Sequence, residues 1–324
     1  MRVRTLSIAL IGCVIVGSSS AASAAIKPVK VIAVKPLKIA TLAGASGDDI
    51  SAALLTNAAI VLVGTVEGNG GGWVTTPTLG GTDGFITDLD LSGTHLWDLR
   101  LGTTGDEIAT DVVKDSLGSF WVLGAANSLT SPSASPAPST TPLNPDGISI
   151  DPTTAANLGL TQLTVWKVSR AGQLLATYSL LAPAVINPQH IRFDGSANFT
   201  ITGQIAAGAS TKNFSLSLDA SGSFGTIVQS KLVVTKPLST LVLAAGINNW
   251  RIFTSSSAIS GIPSWAPKKA TLVAVSYSKA GRVLTANSFT GKLRYALWAR
   301  TPGLVLITEQ STGFGLTIVA PLAG

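Results

Sequence analysis

Cysteine is almost absent: Cys13 is the only one in 324 residues. It lies in a leader expected to be removed, which leaves a mature chain with no disulfide and no thiolate metal site. Histidine is nearly as scarce, with His95 and His190 alone and far apart. That pair offers no cluster for zinc and no ordered Ser-His-Asp arrangement, and no Gly-x-Ser-x-Gly elbow accompanies the many serines. No phosphate-binding loop or dinucleotide fingerprint is found. Charged residues make up only 12% of the chain, and the net charge of +6 includes Arg2 and Arg4, with no basic run later. A nucleic-acid partner is therefore not expected. After the leader no apolar run has the length of a membrane helix, and Phe314 to Leu322 has strand length.

What is present is apolar sequence, 46% of residues, and 33 glycines. Met1 to Arg4 is a positive start, Leu6 to Val16 an apolar run, and Ala22-Ser23-Ala24 a small-residue cleavage pattern. These are the parts of a secretory signal peptide, cut after Ala24. Leu10-Ile11-Gly12-Cys13 offers the alternative of a lipid on Cys13. Secretion to the extracellular space or cell surface is expected in either case.

The rest of the chain can be laid over Gly80 to Gly124. Phe85, Leu89 and Leu91 alternate with Asp88 and Asp90, the period of a half-buried strand. Ser92-Gly93 supplies a turn, His95 to Leu101 a second strand, and Phe120-Trp121-Val122-Leu123 a short run of the fully buried kind. The unit FITDLDLSG returns as TVWKVSRAG ending at Gly172, FSLSLDASG ending at Gly222 and VAVSYSKAG ending at Gly281. Gly93 to Gly124 and Gly172 to Gly203 each span 31 residues, and Gly222 to Thr254 spans 32. Gly44 to Ile50 matches Gly102 to Ile108 at an offset of 58. Short strands repeating at a period of 50–60 residues point to a β-propeller.

DGFITDLDLSGTHLWDLRLG followed by GDEIATDVVKDSLGSFWVLGAANS resembles the bacterial beta-propeller repeat. The match is good over 80–128, fair over 44–66 and only patterned beyond 160. The resemblance implies a propeller in an exported protein and implies no reaction.

The expected fold is all-β, a propeller of five blades at about 47–102, 105–181, 186–230, 231–290 and 292–324. Leu37 to Gly44 would complete the last blade and remove its open edge. A six-bladed count and a β-sandwich stay open, though a sandwich leaves the 31-residue spacing unexplained. Residues 25–324 then form one domain, expected to be monomeric, and the Ser/Pro-rich stretch 127–160 is an excursion loop within the second blade.

In up-and-down blades, loops joining one blade to the next share a face with loops joining second to third strands. That parity gathers Asp48, Asp49, Asp106, Glu107, Trp73 and Trp265 around one mouth of the channel. The two tryptophans could be stacking platforms for a glycan or protein ligand, or could fold back onto their own blades. The paired carboxylates could hold Ca²⁺, or could simply satisfy backbone N–H groups of their turns. His190 is a possible channel residue. No catalytic residue and no cofactor is assigned. The reading is a non-catalytic binding or scaffold propeller, with a glycan-active hydrolase or lyase using channel carboxylates as the alternative.

Overall fold

The computed structural model describes residues 29–40, 48–127, 158–233, 240–262 and 265–320. The proposed leader and most of the 127–160 stretch lie outside the described residues. Two N-terminal strands, β1 (Val31–Val34) and β2 (Lys38–Ala40), precede five groups of strands. The first group is β3 (Asp49–Leu55), β4 (Ala59–Glu67), β5 (Thr82–Asp90) and β6 (His95–Leu101). The second is β7 (Glu107–Lys114), β8 (Phe120–Ala126), β9 (Gln162–Val168) and β10 (Leu174–Leu181). The third is β11 (Ile186–Phe193), β12 (Asn198–Ala207), β13 (Ser210–Asp219) and β14 (Val228–Lys231). The fourth is β15 (Thr240–Ala245), β16 (Asn248–Ser255), β17 (Thr271–Tyr277) and β18 (Val283–Phe289). The fifth is β19 (Lys292–Ala299), β20 (Gly303–Gln310) and β21 (Gly313–Val319).

Each group is one open antiparallel sheet whose strands lie in chain order. The fifth gains its fourth strand from the N-terminus: β2 runs antiparallel to β21, with Lys38 opposite Leu316 and Ala40 opposite Phe314. The expected Leu37–Gly44 strand is thus seen as Lys38–Ala40. The segment before it is itself a strand: β1 adds in parallel to β18 as a fifth strand of the fourth sheet. Lys231 ends the third sheet and does not begin the fourth.

The second strands explain the apolar runs. β8 is buried along its whole length and β4 along all but its last residue, as strands covered on both faces must be. The outer strand β10 instead alternates between exposed and half-buried positions.

The recurring glycines have two separate causes. The first strands β3, β7, β11 and β19 carry register shifts at Ile50/Ala52, Ala109/Asp111, Pro188/His190 and Leu293/Tyr295. A bulge drives a carbonyl towards the strand opposite. Gly64, Gly124 and Gly203 lie opposite these shifts, and a Cβ on them would sit 1.9, 2.0 and 2.4 Å from the carbonyl oxygens of Asp49, Ile108 and Asn187. The end point of the 31-residue spacing is therefore a bulge contact that only glycine admits. The start point is a turn. Asp90 Oδ1 accepts from the N–H groups of Ser92 and Thr94, Gly93 N–H donates to Asp90 O, and Gly93 has φ 80°. Asp219 with Gly222, and Ser169 with Gly172, build the same turn.

These turns also join neighbouring sheets. A Cβ on Gly172 would lie 2.6 Å from Trp97 of the first sheet, one on Gly222 2.0 Å from Tyr178 of the second, and one on Gly93 2.8 Å from Leu316 of the fifth. The Gly172 and Gly222 turns rest on the outer strands β6 and β10, and the Gly93 turn rests on β21 and on Lys38 of the outer strand β2. The corresponding Gly281 of the fourth sheet has nothing within 4 Å. The apolar clusters agree. One spans the fifth, first and second sheets around Tyr295, Ile60, Phe85 and Phe120. Another spans the second and third around Trp121, Phe199 and Leu163. A third joins fourth and fifth around Trp250 and Leu306. Among the described residues none joins the third sheet to the fourth.

Candidate functional site

The rim lies where the first strands begin and the loop 68–81 returns from β4 to β5. That loop is strapped down. Asp98 accepts the backbone N–H of Thr75 (3.0 Å) and Thr76 (2.8 Å) and both threonine hydroxyls at 2.7 and 2.6 Å. His95 Nε2 lies 2.8 Å from the same carboxylate. Burial pushes the Asp98 pKa up, but the donors of Thr76 and Thr75 outweigh it and hold the carboxyl below its usual range. Trp73 is carried inward by this anchoring and is only 1% exposed, packed in the cluster of the first sheet. The reading of Trp73 as a stacking platform is corrected on that ground, since its ring presents no face to solvent. Replacing Asp98 by alanine should release the strap at a cost of about 2 kcal/mol or more. Limited proteolysis should then cut within 68–81 and spare the parent protein.

Beneath the strap sits a buried ion pair. Arg100 Nη1 donates to Asp83 Oδ2 at 2.8 Å, and the two side chains are 1% and 0% exposed. The remaining guanidinium nitrogens donate to Thr76 O (3.1 Å) and Gly68 O (2.7 Å). Asp83 Oδ2 also accepts Leu79 N–H. Beside it, Glu107 accepts the Thr103 hydroxyl at 2.7 Å. Burial pushes Glu107 up, hydrogen bonds from Thr103 oppose this, and the nearby charges of Asp83 and Asp106 add to the rise. Glu107 is thus an internal group and not one that reaches a ligand. Asp106 Oδ1 accepts Thr82 N–H at 3.0 Å and ties the loop 102–106 to β5. Asp48 Oδ1 accepts Glu67 N–H at 2.9 Å in the same manner. Among the described residues Asp48 and Asp106 therefore accept from backbone N–H groups 19 and 24 residues away, on β4 and β5, and not from those of their own turns as expected.

Asp49 behaves differently. It forms an ion pair with Arg294 Nη2 across the junction of the first and fifth sheets. Arg294 Nε lies 3.7 Å from Glu309 Oε2, and Lys292 Nζ lies 4.0 Å from the same oxygen. Glu309 and Lys292 are 47% and 76% exposed at the side chain, so this cluster opens to solvent. Burial pushes the Asp49 carboxyl up to about 6, against the pull of the Arg294 charge. The folded chain holds this proton up to about pH 6, whereas an unfolded Asp releases it near 3.8. Between those values the folded state binds more protons, so this group's stabilising contribution is lost as pH rises through the window. Asp49→Asn should flatten the fall in Tm between pH 4 and 6; an unchanged slope would remove Asp49 as its source.

His190 stands on β11 at the bulge, its Nδ1 3.7 Å from Asp111 Oδ2. That oxygen accepts Ile191 N–H at 2.9 Å, so Asp111 stitches the second sheet to the third. Trp265 is half-buried and packs on the cluster containing Ile259 and Ile262. The structure thus brings Asp49 into a solvent-open cluster and turns Trp73 and Glu107 inward. Asp48 and Asp106 hold backbone. Among the described residues no three His, Cys, Asp or Glu side chains converge to hold a metal ion. Sequence reasoning missed Arg294, Glu309, Asp83 and Arg100. The last two carried a signal: opposite charges near the start of β5 and the end of β6, where a hairpin must bring them together.

No family model and no curated protein matches the chain. Among solved structures, a protein of unknown function from Bacteroides caccae overlaps at TM-score 0.31 and 11% identity, covering 76% of this chain and 69% of that one. A subtype N10 neuraminidase-like protein of A/little yellow-shouldered bat/Guatemala/060/2010 overlaps at TM-score 0.32 and 10% identity, covering 82% and 78%. The β-propeller domain of the Trilobed protease from Pyrococcus furiosus overlaps at TM-score 0.23 and 8% identity, covering 87% and 85%. At these TM-scores the overlaps carry no argument about activity.

Proposed function

We propose that the chain is an exported five-bladed β-propeller that binds a protein ligand at its rim without transforming it. Five consecutive four-stranded sheets, turn glycines seated on the preceding sheet and the β2–β21 pairing support the propeller reading. The observation that carries the binding reading is the solvent-open cluster of Asp49, Arg294, Glu309 and Lys292. Charges of both signs at one accessible point suit a protein surface, where complementary pairs set register and partner choice. The inward turn of Trp73 removes the main support for a sugar-stacking surface. Residues 25–324 used as bait against extracellular proteins should capture a partner that the charge reversal K292E/E309K loses. Equal capture by both would refute the rim as the site.

One observation favours a second reading. Asp49, with a carboxyl pushed up to about 6, shares Arg294 with the ionisable Glu309. A carboxyl held protonated by burial can act as the acid on a glycosidic bond when a second carboxyl stands nearby. Under this reading reporter glycosides are cleaved by the parent chain, and Asp49→Asn abolishes the cleavage. No turnover by the parent chain across such a panel leaves the binding reading standing.

A further inference from the structure

The third sheet has two unlike faces. Ile201, Ile205, Phe214 and Leu216 turn one side of β12 and β13 into the apolar cluster shared with the second sheet. The residues between them point the other way: Thr200 opposite Ser217, Thr202 opposite Ser215, and Gln204 opposite Asn213. A side built of hydroxyls and amides has no apolar surface to offer the fourth sheet.

The outermost strand of this sheet is the least covered. Every residue of β14 (Val228–Lys231) is exposed, Val228 by 60%. β14 pairs with β13 on one side, and among the described residues no strand lies on its other side. Other outer strands are occupied. β18 takes β1 as an added strand, and β21 takes β2. β6 and β10 keep a free edge, but the turns at Gly172 and Gly222 seat on their Trp97 and Tyr178. The fourth sheet's turn at Gly281 meets nothing, so no such turn seats on β14.

Charge names the occupant. Lys212 lies directly opposite Lys231, and both are exposed. Like charges so placed repel, and among the described residues neither lysine is paired with a carboxylate. Residues 186–289 hold nine lysines and arginines against two aspartates, and those two are engaged elsewhere. Asp194 accepts the N–H groups of Ser196 and Asn198, and Asp219 those of Ser221 and Ser223. A strand added beside β14 sets one residue opposite Lys231, in line with both lysines. An acidic residue there is attracted by both. A second copy of β14 brings another lysine, so the edge disfavours its own kind.

We propose that β14 is a docking edge for an extended acidic segment of a partner protein, which joins the third sheet as a fifth strand. Backbone hydrogen bonds hold the segment, and its acid opposite Lys231 fixes the register. The site is separate from the Asp49–Arg294 cluster and does not depend on it.

A random heptapeptide library selected on the parent protein should yield peptides rich in Asp and Glu. The variant K212E/K231E should bind them at least about tenfold more weakly, and selection on that variant should favour Lys and Arg instead. Both lysines are exposed, so the variant's Tm should match the parent's. In hydrogen exchange, the outward amides of Val228–Lys231 should exchange fast in the free protein and slowly once a selected acidic peptide is added. K292E/E309K should leave that binding unchanged, and a loss there would move the peptide to the other cluster and overturn the proposal. Selection without an acidic bias would also overturn it. So would β14 amides already protected in the free protein, since the chain itself would then cover the edge. Protection of β14 by polygalacturonate with no acidic peptide selected would replace the protein partner with an anionic polysaccharide.

Discussion

Arg100→Ala destabilises the protein by about 3–5 kcal/mol, the range for breaking a buried ion pair from one side. Truncation leaves Asp83 charged in a place with 0% exposure, and its remaining donors are the hydroxyl of Thr78 and the N–H of Leu79. It also frees the carbonyls of Thr76 and Gly68, so the strap over Trp73 loses a second anchor. A guanidinium reaches all three acceptors at once, and an ammonium does not, so Arg100→Lys should recover only part of the loss. Urea denaturation of both variants measures this. A loss below 1 kcal/mol for Arg100→Ala would mean that the pair is solvated in solution.

Gly124→Ala costs about 3 kcal/mol, the upper end for overpacking a core by one carbon. Its Cβ would lie 2.0 Å from Ile108 O and 2.6 Å from the Trp166 ring, so neither the bulge nor the indole can stay in place. Gly281→Ala is the control. It has positive φ like the other turn glycines but open space around it, so only the backbone penalty of about 1–2 kcal/mol applies. If both variants lost equal stability, bulge crowding would not be the reason for glycine at 124.

The same glycines show why the sheet pattern was legible. Turn and bulge are demands of the backbone, and they leave the same residue at Gly93, Gly124, Gly172 and Gly203 whatever the surrounding side chains do. The contacts that make the rim are of another kind. Asp49 and Arg294 are 245 positions apart, and nothing in either neighbourhood names the other. Asp111 meets Ile191 across 80 positions. The inward turn of Trp73 depends on Asp98 and Arg100 of a different strand, so the loop's composition alone read as an exposed tryptophan. β1 has four residues and pairs in parallel at an outer edge, where alternation gives no guide. Gly281 repeats the turn chemistry of its counterparts but meets no neighbour, because a turn motif records its own hydrogen bonds and not the surface it rests on.

The account rests on the N-terminal strand completing the last sheet, and amide hydrogen exchange tests that directly. Leu37 N–H donates to Leu316 O at 2.7 Å, and Lys38 to Ala40 pair with Phe314 to Leu316. Amides there that are engaged in the β2–β21 pairing should exchange as slowly as those of β20 and lose protection only with global unfolding. Exchange of Leu37 to Ala40 at the rate of a free tail, with β21 left as an open edge, would contradict it.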